Sequence, residues 1–168
     1  MCQIENKVKY FDEDLVVYKV FLTLKWEGPN PLIYSDGPKR GFFPPYHPDK
    51  AEFFIGEVYE EKRLDFFSEK YLVNAAYGSR IGEGFIHCFR DLESAKNYLH
   101  SLPMDHSLLV VGQCTIPKDA FVLEGLTQIA VDNSTSSDGC WTSSVIKNYD
   151  TYATTKIRLD KVCYVPSK

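Results

Sequence analysis

The chain has 168 residues, a formal net charge of −4, 44% hydrophobic and 25% charged residues. This composition excludes a wholly disordered chain, and the length fits one domain that buries roughly 70% of its unfolded surface without needing a disulfide or a metal. The acidic balance gives no general attraction to a phosphate backbone, so duplex nucleic acid is not an expected partner.

Residues 1–13 are rich in charge (Glu5, Lys7, Lys9, Asp12, Glu13) and have no apolar core of a signal peptide, so they read as an N-terminal arm. The run 15–26 (LVVYKVFLTLKW) is β-branched and aromatic and reads as a long, central strand. Gly28, Pro29 and Pro31 end it. The segment 34–48 (YSDGPKRGFFPPYHP) is irregular, with four prolines and four aromatics. Next, 52–59 (EFFIGEVY) reads as a strand interrupted at Gly56, with the start of a helix running into the charged Glu60, Glu61, Lys62 and Arg63 as the alternative, and the spacing of Leu64, Phe67, Tyr71 and Leu72 predicts a short helix within 62–74.

A short buried strand is expected at 85–89 (FIHCF), followed by the clearest helix, about 91–102. Asp91 can cap its first turn, Leu92, Ala95, Leu99 and Leu102 share one face, and Pro103 stops it. Further strands are expected at 108–116, 120–131, roughly 142–146, and 152–165 as one run. The fold class is therefore α+β, a single domain with a mainly antiparallel sheet.

Five cysteines, Cys2, Cys88, Cys114, Cys140 and Cys163, are odd in number and form no CxxC pair. Reduced thiols in a cytoplasmic protein are the simplest reading. No run is long and apolar enough to span a membrane, and no membrane partner is expected. The histidines show no HxH, HxxxH or HExxH spacing, no Rossmann or P-loop fingerprint is present, and neither a metal nor a cofactor is predicted.

His87 and Cys88 are adjacent, the residue types of a nucleophile and its base. On a strand, neighbours point to opposite faces, so His87 belongs with Phe85 and Phe89 and Cys88 with Ile86. In 34–48, Lys39 and Arg40 stand beside Phe42, Phe43, Tyr46 and His47, which joins cationic donors to flat stacking surfaces. That combination suits a nucleotide or another phosphorylated aromatic ligand. Trp141, in the Ser/Thr-rich run 134–144, is a further candidate for such a surface.

Tyr152, Ala153, Thr154 and Thr155 resemble the hydroxyl-rich strand motif of ADP-ribosyltransferases. The family's early Arg or His would fall at Lys19, and its late Glu has no counterpart, since no Glu follows Glu124. The stretch 84–116 resembles a pattern of small uncharacterised bacterial and phage-type proteins, a GFHxF-like strand followed by a helix and an apolar strand. Here Ile86 separates Phe85 from His87, and the resemblance implies an origin but no activity.

Three functions follow as expectations. The first is a non-enzymatic binding protein that uses Lys39, Arg40, Phe42, Phe43, Tyr46, His47 and Trp141. The second is an enzyme acting on a nucleotide or ADP-ribose group, which requires at least three of Lys19, Arg40, His87 and Thr154 to converge. The third is a protein-binding module that dimerises through a sheet edge.

Overall fold

Alternating apolar and polar runs become eight strands among the described residues: β1 Gln3–Lys9, β2 Leu15–Leu22, β3 Val58–Glu60, β4 Ile86–Phe89, β5 Leu109–Ile116, β6 Val122–Ala130, β7 Ile146–Thr154 and β8 Lys156–Tyr164. The computed structural model describes residues 3–23, 41–45, 51–61, 85–130 and 146–167. The strands form one sheet in the order β1-β6-β7-β4-β2-β5-β8-β3, with every neighbouring pair antiparallel. With helix α1, Leu92–Ser101, this is the α+β class expected. Among the described residues no helix is long and apolar enough to cross a membrane.

Helix α1 begins where its sequence signals place it. The Asp91 carboxylate accepts the Ser94 backbone N–H at 2.8 Å and the Ser94 hydroxyl at 2.7 Å, satisfying a donor that the first turn leaves free. Ala95, Tyr98 and Leu99 of α1, with Leu102 just beyond it, pack on Val20, Phe89, Leu109, Val111 and Tyr149. This is the convex, helix-covered face.

The opposite face is concave, because the chain turns a corner. After β7 ends at Thr154, only Thr155 intervenes before β8, yet β7 pairs with β6 and β4 while β8 pairs with β5 and β3. Consecutive strands separated by β4, β2 and β5 in the sheet can join through one residue only if the sheet wraps round to bring its parts together. Isolated bridges continue the wrapping: Leu22↔Phe43, Phe42↔Phe53 and Ile55↔Leu159 carry the pairing from β2 through two short segments to β8. Val17 and Phe21 of β2, Ile86 and Cys88 of β4, Val110, Cys114 and Ile116 of β5, Tyr152 of β7, and Ile157 and Leu159 of β8 fill the concavity with Phe53. Gly112 of β5 leaves room for two of them, since a Cβ there would lie 2.5 Å from Leu159 Cδ1 and 2.7 Å from Phe21 Cε2.

Several expectations need correction. Gln3–Lys9 is an edge strand on β6, not an arm. The run 52–59 is interrupted at Gly56, as expected, with φ +85° there, but before it Phe53 and Ile55 make only single bridges, and the strand after it is Val58–Glu60. The run 152–165 is two strands divided at Thr155; of the strand expected at roughly 142–146, residues 142–145 lie outside the described residues, and Ile146 belongs to β7. Periodicity alone could not place that corner: the inward register shifts by one residue, from Tyr152 to Ile157 and Leu159, but Thr151–Thr154 are all buried, so no alternation marks the shift. The expected helix at 62–74 lies outside the described residues.

Candidate functional site

The β2–β4 ladder consists of one register pair, Tyr18↔Phe89. A continued antiparallel ladder would set Val20 opposite His87 and bond the two backbones. Instead the pairing stops, and four residues beyond Tyr18 the same edge of β2 is taken by Phe43, through Leu22 N–H to Phe43 O at 2.7 Å and Phe43 N–H to Leu22 O at 3.0 Å. Two different segments thus share one edge of β2, and the sheet forks between them.

Lys19 lies at this fork, in the register of Val17 and Phe21, so its side chain belongs to the concave face. Its Nζ donates to the His87 carbonyl at 3.0 Å, taking the acceptor that a continued ladder would have given to Val20. The Phe21 ring centroid is 6.0 Å from the ammonium. Burial in these apolar surroundings drives the Lys19 pKa below that of an ordinary lysine, with Cys88 and Cys114 as the neighbouring ionisable groups. The residue as a whole is partly buried, so some of its surface stays accessible although its charge is strongly desolvated.

Both thiols are poor nucleophiles in this setting. Burial pushes Cys88 up to about 12, and its Sγ lies 3.5 Å from the Tyr152 carbonyl. Burial also raises Cys114, more strongly. They sit on β4 and β5 with β2 between them, two strand spacings apart, which is beyond disulfide reach. Among the described residues no cluster of three or more His, Cys, Asp or Glu could hold a metal.

The sequence-derived candidates separate as follows. His87 contributes its carbonyl to Lys19, while its side chain, one position before Cys88 and two before Phe89, falls on the face that α1 covers. The Thr154 hydroxyl is buried and lies 2.9 Å from the Phe121 carbonyl and 3.2 Å from that of Lys156, holding the corner. Lys19, His87 and Thr154 therefore do not present three side-chain functional groups to one point. Phe43 is buried, and Phe42 packs edge-on against Phe21 with centroids 6.0 Å apart. Lys39, Arg40, Tyr46, His47 and Trp141 lie outside the described residues.

Sequence reasoning overlooked Cys114, Phe53 and Tyr59, which the wrapping brings to the concave face or its rim; the Phe53 and Tyr59 rings stand 4.5 Å apart. The available signal was the placement of Lys19 between Val17 and Phe21, a cation in an otherwise inward-facing apolar register. Comparison with protein-family models, curated proteins and solved structures found no match.

Proposed function

We propose that this is a non-enzymatic binding protein that takes a small anionic aromatic ligand of the nucleotide class at the rim of the wrapped sheet. The observation that carries this reading is the anchoring of 41–45 at the fork by the bridges Leu22↔Phe43 and Phe42↔Phe53. Lys39 and Arg40 precede that anchor by no more than three residues, and Tyr46 and His47 follow it as closely. Phe42 and Phe43 act as the tether, which leaves stacking to Tyr46 and His47 and phosphate contact to Lys39 and Arg40. The separation of the Lys19 amine from the His87 imidazole favours binding over catalysis.

The test is a thermal-shift titration with ATP, NAD and ADP-ribose on the wild type, Arg40→Ala and Tyr46→Ala. The expected result is an upward shift with at least one nucleotide that both substitutions reduce. An equal shift in both variants would overturn the siting, and no shift with any of the three would overturn the ligand class. Phe43→Ala is unsuitable, because truncating a buried ring destabilises the fold regardless of binding.

A further inference from the structure

Beyond the last turn of helix α1 the chain folds back and brings two histidines together. His100 lies in that last turn, the helix ends at its cap Leu102, and a short 3₁₀ turn begins at His106. The imidazoles meet edge to face, with ring centres 5.3 Å apart and planes at 86°. His100 is exposed and His106 half-buried, so the pair opens to solvent. Each ring has one nitrogen engaged by the protein. His106 Nε2 lies 3.1 Å from the Leu102 carbonyl, which only accepts, so Nε2 carries the proton and Nδ1 the lone pair of the neutral ring. His100 Nε2 lies 2.9 Å from the Tyr164 hydroxyl of β8. When that nitrogen donates to the hydroxyl oxygen, Nδ1 of His100 carries a lone pair as well. A ring N–H held by a protein oxygen, with the opposite nitrogen basic, is the arrangement found around metal-bound histidine.

We propose that His100 and His106 bind a zinc ion through their Nδ1 atoms, with the Leu102 carbonyl and the Tyr164 hydroxyl fixing the rings and water filling the remaining positions. The ring spacing selects the ion. A nitrogen ~2.1 Å from a metal sets its ring centre about 3.2 Å away, so a tetrahedral angle puts two ring centres about 5.2 Å apart and a square-planar right angle only about 4.5 Å. The observed 5.3 Å fits the tetrahedral case. Charge acts in the same direction. The ion would stand at the C-terminus of a ten-residue helix, where backbone carbonyls concentrate partial negative charge. Asp105, beside His106, adds a carboxylate that accepts the Ser107 backbone N–H at 2.9 Å. The opposing charge is Lys96, whose ammonium stands 5.0 Å from the Tyr164 ring centre and is paired with Glu93 at 3.0 Å. No metal was expected from the sequence because His100 and His106 fit none of the usual ligand spacings, and only the turn after α1 brings them together. The inference goes beyond the nucleotide reading and does not rest on it, since neither histidine belongs to 34–48 or to the fork.

The experiment is a calorimetric titration of the reduced, nucleotide-free full chain with Zn²⁺ at about pH 7.5, where an ordinary imidazole is neutral. The wild type is compared with His100→Gln and His106→Gln. The expected result is zinc binding by the wild type that each substitution weakens at least ~10-fold. No binding by the wild type, or unchanged binding in either variant, would overturn the proposal; unchanged binding in both would assign the ion to the thiols. A footprint of the wild type needs no variant that folds. Zn²⁺ should protect His100 and His106 together from diethyl pyrocarbonate, mapped by peptide mass spectrometry, and protection of one ring alone or of neither would overturn the pairing. A negative result leaves the Arg40 and Tyr46 titration unaffected, because that titration contains no zinc.

Discussion

The two faces of the sheet are built from the same strands by the same alternation, yet they differ in what they tolerate. On the convex face, Val20, Phe89, Leu109, Val111 and Tyr149 meet one helix, and the buried cluster there is aliphatic and aromatic, with Met104 and Cys163 at its margin. On the concave face, Lys19 intrudes between Val17 and Phe21, two thiols lie beside it, and the wall is completed by single bridges instead of long ladders. The convex face has its own polar exception, the Tyr149 hydroxyl buried without a hydrogen-bond partner among the described residues, whereas the concave face buries a lysine at a place where the hydrogen-bond ladder also breaks. Violations of that kind concentrate at functional sites, because a purely structural face has no reason to retain them.

The sharpest contrast concerns Leu99, fully buried beneath the helix. Leu99→Ala removes a branched side chain from a packed site and is expected to destabilise by about 2–5 kcal/mol, read from the urea midpoint. A change below about 1 kcal/mol would show that the helix-covered face repacks around the loss and is not the tightly packed side of the sheet.

Gly112 tests the concave side. An added Cβ would overlap Leu159 Cδ1 and Phe21 Cε2, and Phe21 is a rigid ring at the centre of that cluster. Gly112→Ala should therefore destabilise by about 1–3 kcal/mol, less any gain from a stiffer unfolded chain. Equal or higher stability, measured by the same urea titration, would mean that the concave face repacks freely and that its close approach is not a constraint.

The extent to which these features were legible follows from the range of the interactions involved. The helix needed only local signals: Asp91 as its cap, an apolar face through Leu92, Ala95 and Leu99, and Pro103 beyond its end. The opposite facing of His87 and Cys88 needed only strand alternation. The concave face needed contacts between distant segments. Phe42 and Phe43 read as a loop's stacking surface because nothing nearby in the chain indicates that they bridge to Phe53 and Leu22. Lys19 was visible in the register of Val17 and Phe21, but its surroundings depend on β4 and β5, which enter from far along the chain and bring no carboxylate into an ion pair with it among the described residues. The corner at Thr155 was hidden for a different reason. The four consecutive buried residues Thr151–Thr154 hide the one-residue shift of inward register between Tyr152 and Ile157, and the turn is held by the Thr154 hydroxyl, an ordinary strand residue by type.

The smallest effect is a pH slope, and it separates the lysine from the thiols by sign. Lys19 has a folded-state pKa below its ordinary value, so between the two values the unfolded chain binds more protons and stability rises with pH. The thiols act in the opposite direction. Cys88 is raised to about 12, so above the ordinary thiol range the folded state keeps a proton that the unfolded chain releases, and stability falls. In the wild type the rise due to Lys19 and the fall due to the thiols oppose each other. Lys19→Met should remove the rise and leave the fall. It also deprives the His87 carbonyl of its donor, a loss of about 1 kcal/mol at every pH, so the slopes and not the absolute stabilities carry the comparison. Urea midpoints from about pH 6 to 10 suffice, a range that covers the ordinary thiol value and approaches that of lysine. Parallel curves for wild type and Lys19→Met would mean that the amine titrates like an exposed lysine, and the contrast between the faces would then rest on packing alone.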